Sequence, residues 1–220
     1  VTGGAAIFVK TPGLSPLKTR LAATIGVAAA TQWYRLAASA TAAVLAQVPG
    51  VIAYWAVAEA PAQSEAAWPG LPCLAQGDGA LGARMGRVHA ALVERHGYGI
   101  LLGADTPQAD PGDLARAAAW LDDPAPRLVM GPARDGGFWL LGANRLLPPA
   151  AWTRAPCGRA DTGAGFRAAM APCGAWLELP ALTDVDEAAD LAAMLSEMAR
   201  LDAPLAAQRD VIDASRPLLG

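Results

Sequence analysis

Short apolar runs alternate along the chain with longer stretches of helical spacing. "AAIFVK" (5–10) predicts a strand, and "VIAYWAVA" (51–58) a second one whose unbroken apolarity suits burial on both faces. Between them, residues 28–47 predict a long Ala-rich helix, preceded by a short one from Lys18 to Gly26. "LPCLAQ" (71–76) predicts a short third strand. Leu81, Met85, Val88 and Leu92 then share one face of a helix that closes near His96 and Gly97. "GILLGAD" (99–105) predicts the fourth strand. Asp110 and Pro111 predict an N-cap and first helical position, with Leu114, Ala118 and Leu121 facing inward. "RLVMGPA" (127–133) and "GFWLLGA" (137–143) predict two strands flanking an Asp-Gly-Gly turn. Residues 144–175 are less regular, and "AWLELPAL" (175–182) predicts the last strand. A helix over 187–200 carries Leu191, Met194, Leu195 and Met198 inward, and the last fifteen residues read as a loosely held tail.

This order predicts an α/β fold in three layers, a mostly parallel mixed sheet with helices on both faces. In such sheets ligands bind in the crevice beyond the carboxyl ends of the strands. No repeat, low-complexity tract or long linker divides the chain, so residues 1–220 read as one domain with a core at about 5–200 and an extension at 201–220.

Composition narrows the function. The chain is 54% hydrophobic, enough for a large core, although much of that share is alanine. A net charge of -3 argues against nucleic acid as a partner. No apolar run approaches a membrane span. Cys73, Cys157 and Cys173 are odd in number, widely spaced and without a CxxC pair, which predicts a reducing, cytoplasmic setting. With only His89 and His96, a divalent ion would need carboxylate ligands, which suits Mg²⁺ or Mn²⁺. The tryptophans, Trp68 and Trp152 among them, fit a core, a ligand stack or the interface of a homo-oligomer.

Two kinds of charged group mark the strand ends. "FVKTPGLSPLKTRLA" (8–22) places Lys10, Lys18 and Arg20 around a Gly/Pro-broken loop that opens a helix. It is not a Walker A loop, because Leu17 stands where a second glycine must let the backbone wrap the phosphates. A solvated βα loop and an anion site fit this stretch equally well. On the acidic side, Asp105 ends the fourth strand, Asp135 opens the Asp-Gly-Gly turn, and Asp184 and Asp186 flank Val185. In an extended Asp-x-Asp both carboxylates point the same way. Each acid also has a local explanation: an Asx-turn at Asp105, turn chemistry at Asp135, a helix cap at Asp186. Their joint placement at strand ends opposite a basic loop favours a metal and phosphate site.

"IFVKTPGLSPLKTRLAATIG", "LGADTP", "GPARDGGFWLLG" and "LPALTDVDEAADL" together resemble a bacterial family of unassigned function, DUF2064. Its members are described as radical-SAM-associated glycosyltransferases, some in arsenosugar gene clusters. The family is similar to 2-phospholactate guanylyltransferases and to molybdenum-cofactor guanylyltransferases, all of the nucleotide-diphospho-sugar transferase (GT-A) fold. The resemblance runs from about Ala5 to Leu195. It implies that Lys10, Gly13, Lys18, Thr19 and Arg20 bind the phosphates of a nucleotide or nucleotide-sugar donor. Gln76, Gly82 and Arg84 match a segment that lies near the base or sugar in relatives. Asp105, Asp184 and Asp186 would hold Mg²⁺ or Mn²⁺, with Asp105, Lys18 and Asp135 catalytic. Asp135, Gly136 and Gly137 would shape the side that receives a small-molecule acceptor. The implied activity is glycosyl transfer from a nucleotide-diphospho-sugar. The alternatives are nucleotidyl transfer to a small phosphorylated acceptor and non-catalytic nucleotide-sugar binding.

Overall fold

A computed structural model describes residues 2–155 and 157–219. The chain runs β1 (Gly3–Val9), α1 (Thr19–Ile25), α2 (Val27–Leu45), β2 (Val51–Val57), α3 (Pro61–Ser64), β3 (Cys73–Ala75), α4 (Leu81–His96), β4 (Gly99–Gly103) and α5 (Pro111–Leu121). It continues β5 (Arg127–Pro132), β6 (Phe138–Ala143), α6 (Pro149–Thr153), α7 (Thr162–Met170), β7 (Ala175–Glu178), α8 (Ala188–Met198) and α9 (Ala206–Ser215). Among the described residues seven strands form one sheet in the order β3-β2-β1-β4-β6-β5-β7. Only β6 is reversed: it pairs antiparallel with both β4 and β5, and every other pairing is parallel. This is the mostly parallel α/β fold that the alternating pattern predicts.

The period-2 geometry of the strands separates two cores. In β1, Ala5, Ile7 and Val9 face a layer that includes Trp33, Leu114, Leu191 and Val211, while Ala6 faces Met85, Val88, Trp152 and Phe166. Helices α2, α5, α8 and α9 therefore cover one face, and α4, α6 and α7 the other. Their boundaries follow local chemistry. Asp110 caps α5, its carboxylate accepting from Gly112 N at 2.6 Å, with Pro111 in the first turn. Gly97, at φ 82, closes α4.

Three expectations are corrected. The last strand stops at Glu178, because Pro180 cannot donate to a ladder, and pairing resumes only as an isolated bridge between Ala133 and Leu182. The first turn of α8 is capped by Glu187, not by Asp186, and Asp190 accepts from both of their backbone N–H groups. The carboxyl-terminal residues are not loose: α9 packs on α2, with Val211 fully buried and Ser215 accepting from Trp33 Nε1 at 2.9 Å. Gln208, also buried, donates to the carbonyls of Pro107 and Ala109, so this helix is tied to the segment just after Asp105. Among the described residues no helix is long and apolar enough to cross a membrane.

Candidate active site

The loop after β1 is fixed at its start by two side chains. Tyr34 accepts from Lys10 N at 3.1 Å, and Glu59 accepts from Thr11 N at 3.0 Å. Leu14 N and Ser15 N then turn back onto the Thr11 carbonyl. At the loop's far end Lys18 sits in the left-handed region, φ 42 and ψ 44. It is the one non-glycine residue at positive φ among the described residues. A β-carbon in that conformation costs on the order of 1 kcal/mol, so the fold holds it there against a local preference.

That conformation aims Lys18 into the crevice. Its side chain is only 6% exposed, and Nζ donates to Asp105 at 2.6 Å and to Asp186 at 2.9 Å. Burial alone would pull the ammonium's pKa down, but the two carboxylates outweigh it and raise it above the ordinary lysine value. Lys18 is therefore charged at any working pH. Arg20, on the exposed outer side, pairs with Asp186 and Glu187.

The acids converge as their positions at strand ends suggest. Asp105 follows β4, and its backbone carbonyl accepts from Val185 N at 3.2 Å, which ties the Asp-Val-Asp segment to the end of that strand. Asp135 arrives through the β5–β6 turn, where its Oδ1 accepts from Gly137 N at 2.8 Å. This is the local turn chemistry the sequence allows, and the same carboxylate also lines the crevice. Gly136, at φ 92, passes so close to the Ala160 carbonyl that no side chain fits. Asp184 is pushed up to about 7, first by burial and then by the charges of Asp105, Asp135 and Asp186. Asp186 is held below the usual carboxylate range: burial opposes this, and Lys18 and Arg20 prevail.

Two adjoining pockets open at this edge, sharing Phe8, Leu81 and Gly103 as a common wall. The first, about 320 Å³, is lined by Lys10, Lys18, Tyr34, Gln76, Asp105 and Asp186 among others. The second, about 210 Å³, carries Asp135, Gly137 and Asp184. Not every expected residue reaches them. Gly13 and Thr19 border a separate groove with Pro16, Ala22 and Val27. Gly82 has a packing role, since a β-carbon there would strike the Trp152 carbonyl. Gln76 lines the first pocket, but its amide is engaged inside the fold. Nε2 donates to Ala56 O at 2.8 Å and Oε1 accepts from Arg84 at 2.9 Å. The seven-residue α1 adds little macrodipole, so Lys10 and Lys18 supply the positive charge in the cleft.

Glu197 is a site residue that sequence reasoning missed. Its side chain is 8% exposed, and it accepts from Thr183 N (2.9 Å), Thr183 Oγ1 (3.0 Å), Gln108 Nε2 (2.9 Å) and Arg134 Nε (2.7 Å). Burial would raise its pKa, but these donors outweigh burial and lower it. Thr183 precedes Asp184 and Arg134 precedes Asp135, so one carboxylate fastens both acid-bearing loops. The available signal was position: Glu197 lies three residues after Met194 on the inward stripe of α8.

Among the described residues no three His, Cys, Asp or Glu side chains converge closely enough to hold an ion, and Lys18 Nζ lies between two of the expected ligands. The donor set nonetheless suits a hard divalent cation. It is all carboxylate oxygen, and after burial the neighbouring carboxylate charges add to the rise at Asp184.

The sheet order and the crevice at the carboxyl ends of β1 and β4 define the nucleotide-diphospho-sugar transferase fold. A protein of Desulfovibrio desulfuricans G20, provisionally named a nucleotide-diphospho-sugar transferase, superposes with a TM-score of 0.80 at 24% identity, over 98% of this chain and 97% of that one. CMP:2-keto-3-deoxy-manno-octonic acid synthetase, solved with CTP, gives 0.57 at 15% identity, over 91% and 99%. Rv0371c of Mycobacterium tuberculosis H37Rv, solved with manganese, gives 0.51 at 18% identity, over 89% and 99%. No curated protein matches the chain in sequence. The chain belongs to the DUF2064 family, described as an uncharacterized protein conserved in bacteria, whose model matches residues 36–159.

Proposed function

We propose that this protein is a transferase that takes a nucleotide-diphospho-sugar as donor and passes the sugar to a small hydroxylated acceptor. The observation that carries the reading is the pair of adjoining pockets, one walled by Lys10 and Lys18 and the other by Asp135 and Asp184. A two-substrate transfer needs a site for each partner that meets at a shared wall.

In this reading the donor's diphosphate lies along Lys18, with Lys10 at the mouth of the same cleft. Negative charge grows on the diphosphate as the bond to the sugar breaks, and the desolvated Lys18 ammonium, exchanging a carboxylate partner for the donor, stabilises that charge. Asp135 faces the neighbouring pocket, oriented by Gly137 N, and takes the proton of the acceptor hydroxyl as the new bond forms. Asp105, Asp184 and Asp186 would hold Mg²⁺ or Mn²⁺ only with Lys18 drawn off Asp105 and Asp186, and the ion when bound would add neutralising charge beside the diphosphate. The manganese- and CTP-containing neighbours support both ligand classes.

Nucleotidyl transfer is the second reading, favoured by the synthetase neighbour and by the same buried ammonium, which serves a leaving pyrophosphate equally well. A thermal-shift series in Mn²⁺, with UDP-, GDP- and dTDP-sugars against the nucleoside triphosphates, separates the two. The expected result is stabilisation by one nucleotide sugar, with affinity falling at least about tenfold in Lys18→Met, as befits a lost charge-assisted contact. Stabilisation by triphosphates alone selects nucleotidyl transfer. Stabilisation by neither class overturns the proposal. Binding without turnover for any acceptor leaves only a nucleotide-sugar-binding role.

A further inference from the structure

We infer that the second pocket takes an uncharged, hydroxyl-bearing aromatic acceptor of one to two rings, and not a phosphorylated one. The inference rests on the transferase reading for the word acceptor, but the pocket's preference stands on its own lining.

The walls are Phe8, Met85, Leu101, Phe138, Trp139 and Cys157. Met85, Leu101 and Trp139 are almost wholly buried, so the pocket floor is part of the core itself. Rings and sulfur atoms are the surfaces against which an aromatic body gains contact beyond simple area burial. The Cys157 thiol is kept protonated by burial, which raises its pKa, and so behaves as an apolar surface. The size agrees. A dry cavity of about 150 Å³ accepts one benzene ring, and this pocket offers about 210 Å³. That is room for a ring with a substituent or for a compact fused pair.

Charge argues in the same direction. The Asp135 carboxylate on this wall suits a neutral hydroxyl that donates a hydrogen bond and repels a phosphate. The cation lining the pocket is Arg159, and its guanidinium is engaged by Asp161 at 3.0 and 3.3 Å. A phosphomonoester here would face the Asp135 carboxylate, and the pocket's cation, Arg159, stands at the exposed rim and pairs with Asp161. An aromatic alcohol would bury its ring among the apolar walls and present its hydroxyl to Asp135.

Saturation-transfer NMR on the full chain without nucleotide, using 2-naphthol, 2-phenylethanol and glycerol 3-phosphate as probes, tests this directly. The aromatic alcohols are expected to bind and glycerol 3-phosphate is not. Cys157→Trp fills the pocket from a loop and is expected to weaken 2-naphthol at least tenfold while leaving nucleotide-sugar affinity in the first pocket unchanged. If that variant does not fold, Phe138→Ala removes an aromatic wall and is expected to weaken 2-naphthol by a similar factor. Binding of glycerol 3-phosphate that Cys157→Trp abolishes overturns the inference. So does the absence of any aromatic binding by the folded protein, or aromatic binding indifferent to both variants. If 2-naphthol binds as expected but no nucleotide does, the transferase reading fails and the aromatic site stands.

Discussion

Replacing Glu197 is expected to loosen both acid-bearing loops at once, and the structure sets the scale. In Glu197→Ala four hydrogen bonds vanish. Arg134, 54% exposed, recovers water and contributes little. Thr183 N loses its acceptor in a buried setting, and Gln108 Nε2 keeps the Thr183 carbonyl but loses its second acceptor, at about 1–3 kcal/mol each. The total is about 2–6 kcal/mol. At this chain length that is a fall of roughly 10 °C in Tm. Glu197→Gln keeps one oxygen, which can still serve Thr183 N and Gln108, while its NH₂ meets the Arg134 donor. Its cost is about 1–2 kcal/mol. Urea denaturation of the three proteins at pH 7 gives both numbers. In an activity assay Glu197→Gln is expected to lower kcat more than it changes nucleotide-sugar affinity, because Lys18 is not among its partners. A Glu197→Ala protein within 1 kcal/mol of wild type would refute the clamp.

His89 is buried and neutral. Burial lowers its pKa to about 4, and the Ala143 carbonyl within 3.2 Å of Nε2 only partly offsets this. The unfolded chain protonates near 6.5, so stability from this site is present above that pH. It declines toward pH 4 by about 3 kcal/mol. Urea midpoints from pH 7 to pH 4 are expected to fall less in His89→Gln, and parallel curves would show that His89 does not titrate this way. Gly136→Ala forces a β-carbon into the Ala160 carbonyl at φ 92. It is expected to lower Tm and to cost more than about 1 kcal/mol, and an unchanged Tm would contradict the close approach. Deleting residues 203–220 strips α9 from α2 and uncovers Trp33. Losing the burial of Leu205, Val211 and Ile212 costs at least about 3 kcal/mol. A truncated chain as stable as the full one in a melt would mean the helix contributes nothing.

The strands, the long helices and the caps at Asp110 and Gly97 were legible because each follows from local spacing or a single residue's chemistry. The convergence of acids was legible only as a consequence of strand ends sharing one sheet edge. What stayed hidden depends on long-range pairing. Lys18 meets Asp105 and Asp186 across 87 and 168 residues, and nothing local says that a basic loop will close onto acids instead of standing open to an anion. Gly82 read as a nucleotide contact because a resemblance transfers position, whereas its close approach to Trp152 arises from how α4 packs on α6. α9 was missed because its few apolar residues bury against a helix already assigned to the core, and its buried Gln208 and Ser215 look polar in sequence.

The reversed strand explains why one sheet edge carries two pockets of opposite character. The Lys18 loop and Asp105 reach the edge from the ends of β1 and β4, as in any parallel sheet. A parallel β6 would have needed a crossover helix, and its first residues would lie at the far edge. Because β6 runs back beside β4, the short turn from Ala133 to Gly137 stays at the carboxyl edge and delivers Asp135 there. That turn belongs to the hairpin and not to a βα unit. Its ties are the Ala133–Leu182 bridge, the Gly163 N to Gly136 O bond and, through Arg134, Glu197. Glu197 also holds Thr183. The acidic wall of the second pocket is thus a unit mounted on α8, and the basic wall of the first is mounted on α1 and β1. The two mounts meet in the ion pairs of Lys18 and Arg20 with Asp186 and Glu187. Loosening the α8 mount is therefore expected to reduce transfer before it reduces donor binding, which is the separation the Glu197→Gln kinetics measure.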